Sequence, residues 1–336
     1  MSDNKVSVII PVYNVAEYIE KCLYSVIQQK TGNIECILVD DCGTDDSIEI
    51  AEKIINQYNG PISFKLLHHD HNQGLSAARN TGINTAPGDY VFFLDSDDEI
   101  TENAIEMLLS EAQEQPDVEI VVGNMYSEPH DDYYELKLDN YPYRITSNHQ
   151  IRKAFFCNQP LIPVMACNKL IRRDFILKNE LFFKEGIIHE DELWIFYVIN
   201  YINSVSLINK YTYLRYKRPH SITTTSSQQN SANYMAGIIL EILQKINPPC
   251  EEMQVLFYTR RYFNQYPHLR NTSEYKKIFL LIFKALTKYK HYKAALLFLL
   301  HFLSNKIVFK LKYNLIPKLL QKATEKESSS HNHQTI

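Results

Sequence analysis

Short apolar runs alternate with amphipathic stretches through the first 125 residues. The apolar runs have the length of buried strands and cover residues 6–10, 35–40, 63–68, 90–94 and 119–122. The amphipathic stretches between them have the length of helices and cover residues 16–29, 46–58, 74–83 and 102–114. Strands that alternate with helices are typical of a mainly parallel sheet with helices on both faces. The pattern therefore predicts an α/β fold.

The alternation weakens between residues 126 and 163, where acidic residues, aromatic residues and prolines accumulate. We interpret this region as an extended linker that belongs to the same domain and lies across the sheet. The pattern then predicts a helix over residues 191–200, two short strands within residues 205–215, and helices from residue 228 onward.

Composition and length favour a globular protein with an appendage. Hydrophobic residues make up 45% of the chain and charged residues 22%, which predicts a packed core. We expect one domain over residues 1–225, a helical extension over residues 226–322 and a disordered polar tail over residues 323–336. Six cysteines occur without a Cys-x-x-Cys pair, and no secretory signal begins the chain, so we expect reduced thiols and a cytoplasmic protein.

The C-terminal extension has a charge of its own. Three amphipathic helices are predicted over residues 273–289, 291–304 and 306–321, and no apolar run reaches the roughly 18 residues of a membrane span. Eleven lysines and no Asp or Glu lie between residues 275 and 322, which leaves about −15 on the rest of the chain. Because the segment is also rich in Leu, Ile and Phe, an anionic membrane is favoured over nucleic acid as its partner. The helices are expected either to pack on the body of the protein or to lie in a membrane interface.

The predicted strand at residues 90–94 runs directly into three carboxylates, Asp95, Asp97 and Asp98. Ligands of open α/β sheets bind at the carboxyl ends of the strands. Three like charges this close repel one another unless a cation or a proton compensates, and hard oxygen ligands favour Mg²⁺ or Mn²⁺. The structural alternative is a solvated turn in which Asp98 caps the next helix.

Four segments meet at the same predicted edge of the sheet. They read VSVIIPVYN from residue 6, VDDCGTDDS from residue 39, NQGLSAARNTG from residue 72 and DYVFFLDSDD from residue 89. In this order they resemble the family 2 glycosyltransferases, which have the Rossmann-like GT-A fold. The resemblance implies a nucleotide-sugar-binding half at residues 1–125 and an acceptor half at residues 126–225. It also implies transfer of a sugar from a nucleotide diphosphate donor to a hydroxyl, with inversion at the anomeric carbon.

The resemblance implies roles for residues on the donor side. The backbone at Pro11, Val12 and Tyr13 would hold the base and the ribose. Asp41 would accept a hydrogen bond from the uracil ring, because an ionised carboxylate is only an acceptor. Arg79 would reach the nucleotide as a permanently charged donor.

The loop that follows the second strand also has a structural interpretation. Its four aspartates, at positions 40, 41, 45 and 46, would form a turn and a helix cap, and Asp46 is the preferred cap. The family usually has Gly-Ser after the paired aspartates, where this chain has Cys42-Gly43. We expect the turn to form because Gly43 supplies a permissive backbone.

Asp95 and Asp97 stand in the Asp-x-Asp positions of the family. Asp97 would bind a Mn²⁺ or Mg²⁺ ion that bridges both phosphates, and Asp95 would contact the ribose or a water on the metal. Ser96 between them is included among the nucleotide-sugar-binding residues. The metal would neutralise the charge that develops on the departing nucleoside diphosphate.

An inverting transfer also needs a carboxylate that takes the proton of the attacking hydroxyl. The Glu-Asp motif of the family matches Glu190 and Asp191, and Asp191 is the predicted base. The alternatives are that Glu190 or Glu192 is the base, or that all three form an acidic first turn of a helix. Trp194 follows closely and is predicted to stack on a sugar.

Arg218 and Ser221 resemble the Arg and Ser segment that closes over the diphosphate in relatives. Their Ser- and Thr-rich surroundings suit a mobile lid, and they equally suit an ordinary surface loop.

The sequence therefore predicts an inverting glycosyltransferase that uses a UDP-sugar and a glycan or lipid-linked acceptor in cell-surface polysaccharide synthesis, at the inner face of the cell membrane. One alternative is a catalytically silent relative that binds a nucleotide sugar or glycan and scaffolds an assembly complex. Another is a dehydrogenase, which is disfavoured because Pro-Val-Tyr-Asn follows the first strand in place of a Gly-rich turn.

Overall fold

The chain forms two compact units. The computed structural model describes residues 4–31, 33–128, 143–157, 162–216, 228–245, 251–266 and 272–303. The first unit comprises Met1–Ile151 and Leu161–Ser221, and the second comprises Arg152–Pro160 and Ile222–Ile336. The segment Arg152–Pro160 is grouped with the helical unit, and the domain boundaries at residues 225 and 322 stay predictions.

The first unit is built on a mixed β-sheet. Its strands in the described ranges are β1 (Val6–Val12), β2 (Ile34–Asp40), β3 (Ser63–His68), β4 (Tyr90–Phe93), β5 (Glu99–Ile100), β6 (Ile120–Glu128), β7 (Arg144–Ile145), β8 (Lys169–Arg172) and β9 (Val205–Tyr216). They are ordered β3-β2-β1-β4-β8-β6-β9-β5, and β7 pairs with β9. Strands β1 to β4 are parallel, whereas β8 is antiparallel to both of its neighbours.

Helices connect most of these strands. They are α1 (Ile19–Ile27), α2 (Ser47–Gln57), α3 (Leu75–Thr85), α4 (Ala104–Glu114), α5 (Asn148–Cys157), α6 (Arg173–Lys178) and α7 (Glu190–Tyr201). The predicted alternation of strands and helices over the first 125 residues is confirmed, and the fold is α/β.

Both faces of the sheet are covered by helices. Val8 of β1 belongs to one core cluster with Leu23 of α1 and Leu108 of α4. Successive strand residues point to opposite faces, so Ile9 lies on the other face, where it meets Gly82 of α3. A Cβ on Gly82 would lie 2.3 Å from Cγ2 of Ile9, so α3 approaches β1 as closely as a glycine allows.

Strand β1 continues through Pro11 to Val12, beyond the apolar run that was predicted to end at residue 10. Pro11 pairs with Val39 and Val12 pairs with Asp40 in β2, whereas β4 follows β1 only to Ile9. The carbonyl of Val12 accepts the N–H of Asp41, the residue directly after β2, so the nitrogen of Pro11 faces the β4 side by alternation. Pro11 therefore removes no hydrogen bond from the ladder, and the strand can carry the chain two residues further.

Two other predictions were wrong. Residues 205–215 form the single strand β9, because β6 pairs with β9 on both sides of its exposed polar middle at Asn209 and Lys210. The region after residue 126 is not an extended linker where it is described, since it contains the end of β6, then β7 and α5. Strands β5 and β8 and helix α6 were not predicted.

The second unit is helical. Its described helices are α8 (Gln228–Gln244), α9 (Glu252–Gln265), α10 (Ser273–Lys288) and α11 (Tyr292–Leu303). The predicted helices at residues 273–289 and 291–304 are confirmed as α10 and α11, and Phe279 of α10 stacks on Phe298 of α11 at 4.7 Å. The helix predicted at residues 306–321 and the tail lie outside the described residues. Across the described parts of both units, no helix combines the length and apolarity needed to cross a membrane.

Candidate active site

The turn after β4 separates the three acidic residues by environment. Asp98 is buried, and its carboxylate accepts hydrogen bonds from the Tyr213 hydroxyl at 2.8 Å and the Tyr216 N–H at 2.8 Å. Burial, followed by the charges of Asp95 and Asp97, raises the pKa of Asp98 well above its ordinary value. Both oxygens of Asp98 are thus engaged inside the turn, the N-cap of the next helix is Asn103, and only Asp95 and Asp97 remain partly exposed.

Tyr213 of β9 fixes this turn from outside the motif. Its hydroxyl donates to Asp98 and also accepts the backbone N–H of Asp95 at 3.2 Å. The ring is completely buried and lies near Phe92 of β4, with 6.5 Å between ring centroids. Tyr213 was not predicted from the sequence, because it lies in a strand rich in tyrosines and nothing local distinguishes it.

Asp41 holds the start of helix α3. The Asp41 carboxylate is buried and accepts the N–H groups of Gln73 and Gly74, each at 2.8 Å, and it contacts Nδ1 of His69 at 2.7 Å. Gly74 has φ 89°, a left-handed conformation that favours glycine. These bonds hold the entry of α3 and thereby set the direction in which Arg79, a turn later, points.

Asn80 brings a distant segment against α3. Its side-chain amide donates to the carbonyl of Phe183 at 2.9 Å, and its side-chain oxygen accepts the N–H of Phe183 at 2.8 Å. The ring of Phe183 then lies beneath the guanidinium of Arg79, at 5.1 Å from its central carbon. This pairing places the start of α7 next to α3.

Arg79 gathers three carboxylates from two distant parts of the chain. It is 2% exposed; Nη1 donates to Oε1 of Glu190 and Oδ1 of Asp191, both at 3.0 Å, and Nη2 donates to Oδ1 of Asp95 at 2.9 Å. Burial opposes its charge, but Asp191, Asp95 and Glu190 raise the pKa of Arg79, so the guanidinium stays ionised. We call these four residues the Arg79 cluster. The structure therefore brings Arg79 to carboxylates, whereas the sequence predicted that it reaches the nucleotide.

The two carboxylates at the start of α7 differ in exposure. The side chain of Glu190 is 11% exposed, and burial, followed by the charge of Asp191, raises its pKa to about 7. The side chain of Asp191 is 20% exposed and also accepts the N–H of Ala166. Burial raises the pKa of Asp191 above its ordinary value, and the charge of Arg79 works against that rise. Asp191 is thus the more accessible of the pair and is held by two donors.

Trp194 is not placed to stack on a sugar. It is 1% exposed, its Nε1 donates to the carbonyl of Leu181 at 3.0 Å, and its ring stacks on Phe183 with 4.9 Å between centroids. Because Trp194 is on the second turn of an inward-facing helix, it packs in the core beneath the Arg79 cluster. Glu192 is likewise buried.

The loop between β2 and α2 differs from the prediction in two details. Asp46 is the N-cap residue of α2 but its side chain makes no capping bond, whereas the Asp45 carboxylate accepts the N–H of Ser47, the first residue of α2, at 3.2 Å and the N–H of Ala16 at 2.8 Å. The left-handed residue is Cys42, with φ 57°. Gly43 instead allows the loop to lie close to Asn14, because a Cβ on Gly43 would lie 3.0 Å from the backbone nitrogen of Asn14.

The remaining predicted residues lie at the same edge or outside the described ranges. Pro11 and Val12 are buried at the end of β1, and Tyr13 beyond them is 46% exposed. Ser96 is buried in the turn between Asp95 and Asp97. The predicted lid residues Arg218 and Ser221 lie outside the described residues.

Asp97 is the carboxylate that suits a divalent cation. Within the described ranges no three His, Cys, Asp or Glu side chains are arranged to hold a metal. Mg²⁺ in phosphate-transfer sites is commonly bound by one or two carboxylates together with the substrate phosphates. Asp97 lies partly exposed in the turn after β4, where phosphates of a ligand at this edge would reach it. The residues present therefore fit a metal that depends on the substrate for the rest of its ligands.

Comparison with known proteins defines the class. The model of the family described as "Glycosyl transferase family 2" matches residues 7–178, just over half of the chain. Glycosyltransferase GlyG of Streptococcus pneumoniae serotype 4 is 30% identical over 299 residues, which are 81% of this chain and 93% of GlyG. The cholesterol galactosyltransferase of Borreliella burgdorferi is 28% identical over 335 residues, which are 95% of this chain and 80% of that protein.

Solved structures share the fold. Residues 1–349 of S. aureus TarS in complex with UDP-GlcNAc superimpose with a TM-score of 0.66 and 22% identity, covering 85% of this chain and 80% of that one. The mannosyltransferase PcManGT of Pyrobaculum calidifontis in complex with GDP-Man and Mn²⁺ gives a TM-score of 0.52 and 15% identity, with 97% and 83% covered.

The protein is a glycosyltransferase with a GT-A fold. It belongs to glycosyltransferase family 2, as the four segments at the sheet edge indicated. The dehydrogenase alternative was wrong.

Proposed function

We propose that this protein transfers a sugar, with inversion at the anomeric carbon, from a UDP-sugar to a hydroxyl of a glycan or lipid-linked acceptor in cell-surface polysaccharide synthesis. The observation that carries the proposal is the Arg79 cluster. It joins Asp191, the proposed base, to Asp95 of the Asp-x-Asp turn, although the two residues belong to distant segments of the chain. The UDP-GlcNAc complex of TarS supports a UDP-sugar as donor.

Asp191 takes the proton of the attacking acceptor hydroxyl in this mechanism. It is accessible over a fifth of its side chain, and Arg79 and the Ala166 N–H hold its carboxylate in one orientation. Because burial raises its pKa, Asp191 is a stronger base than an aspartate in water. Arg79 stays charged throughout and stabilises the carboxylate before it receives the proton.

The donor would lie along the ends of β1, β2 and β4. The exposed Tyr13 follows β1 and would contact the nucleoside, together with the backbone of Pro11 and Val12. Asp41 can accept from uracil only in addition to its present contacts. A carboxylate has about four lone-pair sites, and Gln73, Gly74 and His69 occupy three of them.

The diphosphate would lie at Asp95, Ser96 and Asp97, with Asp97 holding Mn²⁺ or Mg²⁺. A bound metal would neutralise the charge that develops on the leaving UDP. The Mn²⁺ complex of PcManGT supports this assignment. Glu190, with a pKa near 7, would limit the negative charge beside the incoming phosphates when it is protonated.

Substitution of the base tests the proposal. UDP release from UDP-GlcNAc, UDP-Gal and UDP-Glc would be measured with and without Mn²⁺ and with a glycolipid acceptor pool. Asp191→Asn should lower turnover by about a hundredfold or more while the binding of UDP persists, because a general base contributes roughly that much. The matched control is Asp174→Asn, at an exposed position of α6, which should keep full turnover.

Equal turnover of Asp191→Asn and the wild-type protein would overturn the assignment of the base. A wild-type protein that is stabilised thermally by a UDP-sugar and Mn²⁺ but releases no UDP would instead match the catalytically silent alternative. At a ligand concentration of about 100 times the dissociation constant, the stabilisation is roughly 2.7 kcal/mol, which is readily measured.

The second unit is proposed to bind the enzyme to the anionic inner face of the cell membrane. Helices α10 and α11 expose apolar side chains, namely Leu280, Leu281, Tyr292 and Leu296, each more than half exposed. The same helices expose lysines, namely Lys276, Lys277, Lys284, Lys288 and Lys293. Apolar side chains flanked by lysines suit the boundary between acyl chains and anionic headgroups. A lipid acceptor is supported by the relative named as a cholesterol galactosyltransferase.

A further inference from the structure

Lys169 is a buried cation for which the proposed mechanism has given no role. It is the first residue of β8 and is 0% exposed. Its ammonium donates to the backbone carbonyls of Met165 and of Cys167, the latter at 3.3 Å. Burying a charged amine is costly unless partners compensate, and burial lowers the pKa of Lys169 to about 8. Packing alone does not explain a lysine at such a buried position.

Lys169 closes a loop that is also fixed at Asn168. Asn168 has φ 59°, and its side-chain amide donates to the carbonyls of Gly123 at 2.8 Å and Asn124 at 3.2 Å. Its side-chain oxygen accepts from the hydroxyl of Thr212 at 2.6 Å. A Cβ on Gly123 would lie 2.0 Å from Oγ1 of Thr212, so β6 and β9 close tightly around Asn168. The loop of residues 165–169 is thus fixed by hydrogen bonds of its last two side chains, Asn168 and Lys169.

This loop reaches the proposed base. The N–H of Ala166, between the two carbonyls that Lys169 binds, donates to the carboxylate of Asp191. The ammonium of Lys169 therefore organises one of the donors that orient Asp191, without touching the carboxylate itself.

The charges around Asp191 explain why a second cation is useful. Arg79 faces it from α3, Asp95 from the turn after β4, Glu190 from its own helix, Lys169 from β8 and the buried Cys167 thiol from the loop before β8. Three carboxylates thus share the single positive charge of Arg79. Asp95 and burial favour protonation of Asp191, whereas Arg79 and Lys169 favour its ionised form. With Lys169 charged and Glu190 partly protonated, the positive and negative charges of the group approach balance.

We propose that Lys169 is a positioning residue for the base: its buried ammonium locks the loop of residues 165–169 so that the Ala166 N–H meets Asp191, and its charge keeps Asp191 ionised. The inference rests on the proposed role of Asp191 and extends it to a residue outside the motifs. Lys169 does not contact the substrate in this scheme.

Lys169→Met and Lys169→Gln both remove the charge of Lys169 and so test its effect on Asp191. Met removes both the charge and the donors, whereas Gln removes the charge and retains an amide that can donate to a carbonyl. In both variants the acidic limb of the kcat/KM profile for UDP release from UDP-GlcNAc should move to higher pH by about one unit, since a nearby cation lowers a carboxylate pKa by that much or more. Below the limb this shift is about a tenfold loss of kcat/KM. Lys210→Met, at an exposed position of β9, should leave the profile unchanged.

A direct titration makes the test independent of turnover. The ¹³C carboxyl signal of Asp191 is identified as the one missing from Asp191→Asn, and its pKa should be about one unit higher in Lys169→Met than in the wild-type protein. A wild-type protein without UDP release would refute the proposed function and leave this titration fully informative. An unchanged Asp191 pKa together with an unchanged acidic limb would overturn the role of Lys169.

The reciprocal variant covers the case in which Lys169→Met and Lys169→Gln do not fold. In Asp191→Asn, with ¹³C at the lysine ε carbons, the lysine that titrates near 8 should titrate at lower pH, because coupling between two sites acts equally on both. An identical Lys169 pKa in Asp191→Asn and the wild-type protein would show that the two groups are not coupled, and the proposal would be wrong.

Discussion

At the scale of single residues, the site depends on how one guanidinium is shared. Arg79 is bound to Asp95, Glu190 and Asp191 through two of its nitrogens and is almost completely buried. Removing it would leave three carboxylates facing one another in a poorly solvated site, at a cost of several kcal/mol. A loss of activity in an Arg79 variant would therefore report on the arrangement of the base as much as on donor binding.

The pH dependence of stability should reveal Glu190. Its pKa of about 7 in the folded protein lies above its ordinary value, so the native state holds this proton more tightly than the unfolded chain does. The resulting stabilisation is complete below about pH 4.5 and is lost as the pH rises through about 7. From pH 5 to pH 8, the unfolding free energy of Glu190→Gln should therefore rise relative to wild type by about 1–3 kcal/mol. Urea unfolding at several pH values measures this difference, and a difference that stays constant with pH would contradict it.

The residues predicted from sequence and those missed differ in where their partners lie. Asp95, Asp97 and Asp191 stand in short motifs next to apolar runs, so their chemistry is visible locally. Tyr213 acts on a turn that lies more than a hundred residues earlier in the chain, and no local pattern shows this. Lys169 did leave a signal in the sequence. It stands directly before the apolar pair Leu170 and Ile171, where a buried strand would be expected and a lysine is unusual.

At the scale of elements, hydrophobic periodicity identified the strands and helices whose own residues carry a clear apolar pattern. Strands β1 to β4 and helices α1 to α4 each have several apolar residues at the spacing of their type. Strands β5 and β7 have two residues each, and they exist because β9 offers backbone partners. Strand β8 has only four residues and is inserted antiparallel between β4 and β6, where tertiary pairing decides. Short elements of this kind cannot be derived from hydrophobic spacing.

The contact of α3 with β1 should be intolerant of a single methyl group. Gly82→Ala would place a Cβ 2.3 Å from Cγ2 of Ile9, so α3 must shift or Ile9 must leave its rotamer. We expect a loss of about 1–3 kcal/mol in unfolding free energy despite the better helix propensity of alanine. Because α3 carries Arg79, UDP release should fall as well.

The matched control is Gly237→Ala in α8, where a Cβ would meet nothing within 4 Å. That variant should be as stable as wild type or more stable, by up to about 1 kcal/mol. Equal urea midpoints for the Gly82 and Gly237 variants would show that the α3 contact is looser than described.

At the scale of the whole molecule, charge and apolar surface are unevenly distributed. The segment from residue 275 to 322 carries eleven lysines and no acidic residue, while the rest of the chain is strongly acidic. The exposed leucines of α10 and α11 lie in this basic segment. The sequence predicted the charge asymmetry, but only the structure shows which leucines remain exposed after α10 and α11 have packed together.

Membrane binding should depend on both features. The full chain should sediment with vesicles of phosphatidylglycerol and phosphatidylcholine, should bind pure phosphatidylcholine weakly, and should dissociate at high salt. The double variant Leu280→Ser, Leu281→Ser should bind at least about tenfold more weakly, since each leucine contributes about 1.5–3 kcal/mol when fully buried. Tyr24→Ser, at an exposed position of α1, is the control and should bind normally. Binding that is equal for charged and neutral vesicles would exclude an electrostatic contribution.

The hydrogen bonds of Tyr213 have a consequence for engineering. One way to combine the donor specificity of one related enzyme with the acceptor specificity of another is to exchange the N-terminal half (the front) and the C-terminal half (the rear) of the domain. Tyr213 belongs to the rear but holds the turn that carries Asp95 and Asp98 in the front. A chimera whose rear lacks a tyrosine at this position would inherit the donor motif without the support that shapes it. Recombination here should therefore transfer β9 together with the turn after β4 as one indivisible module.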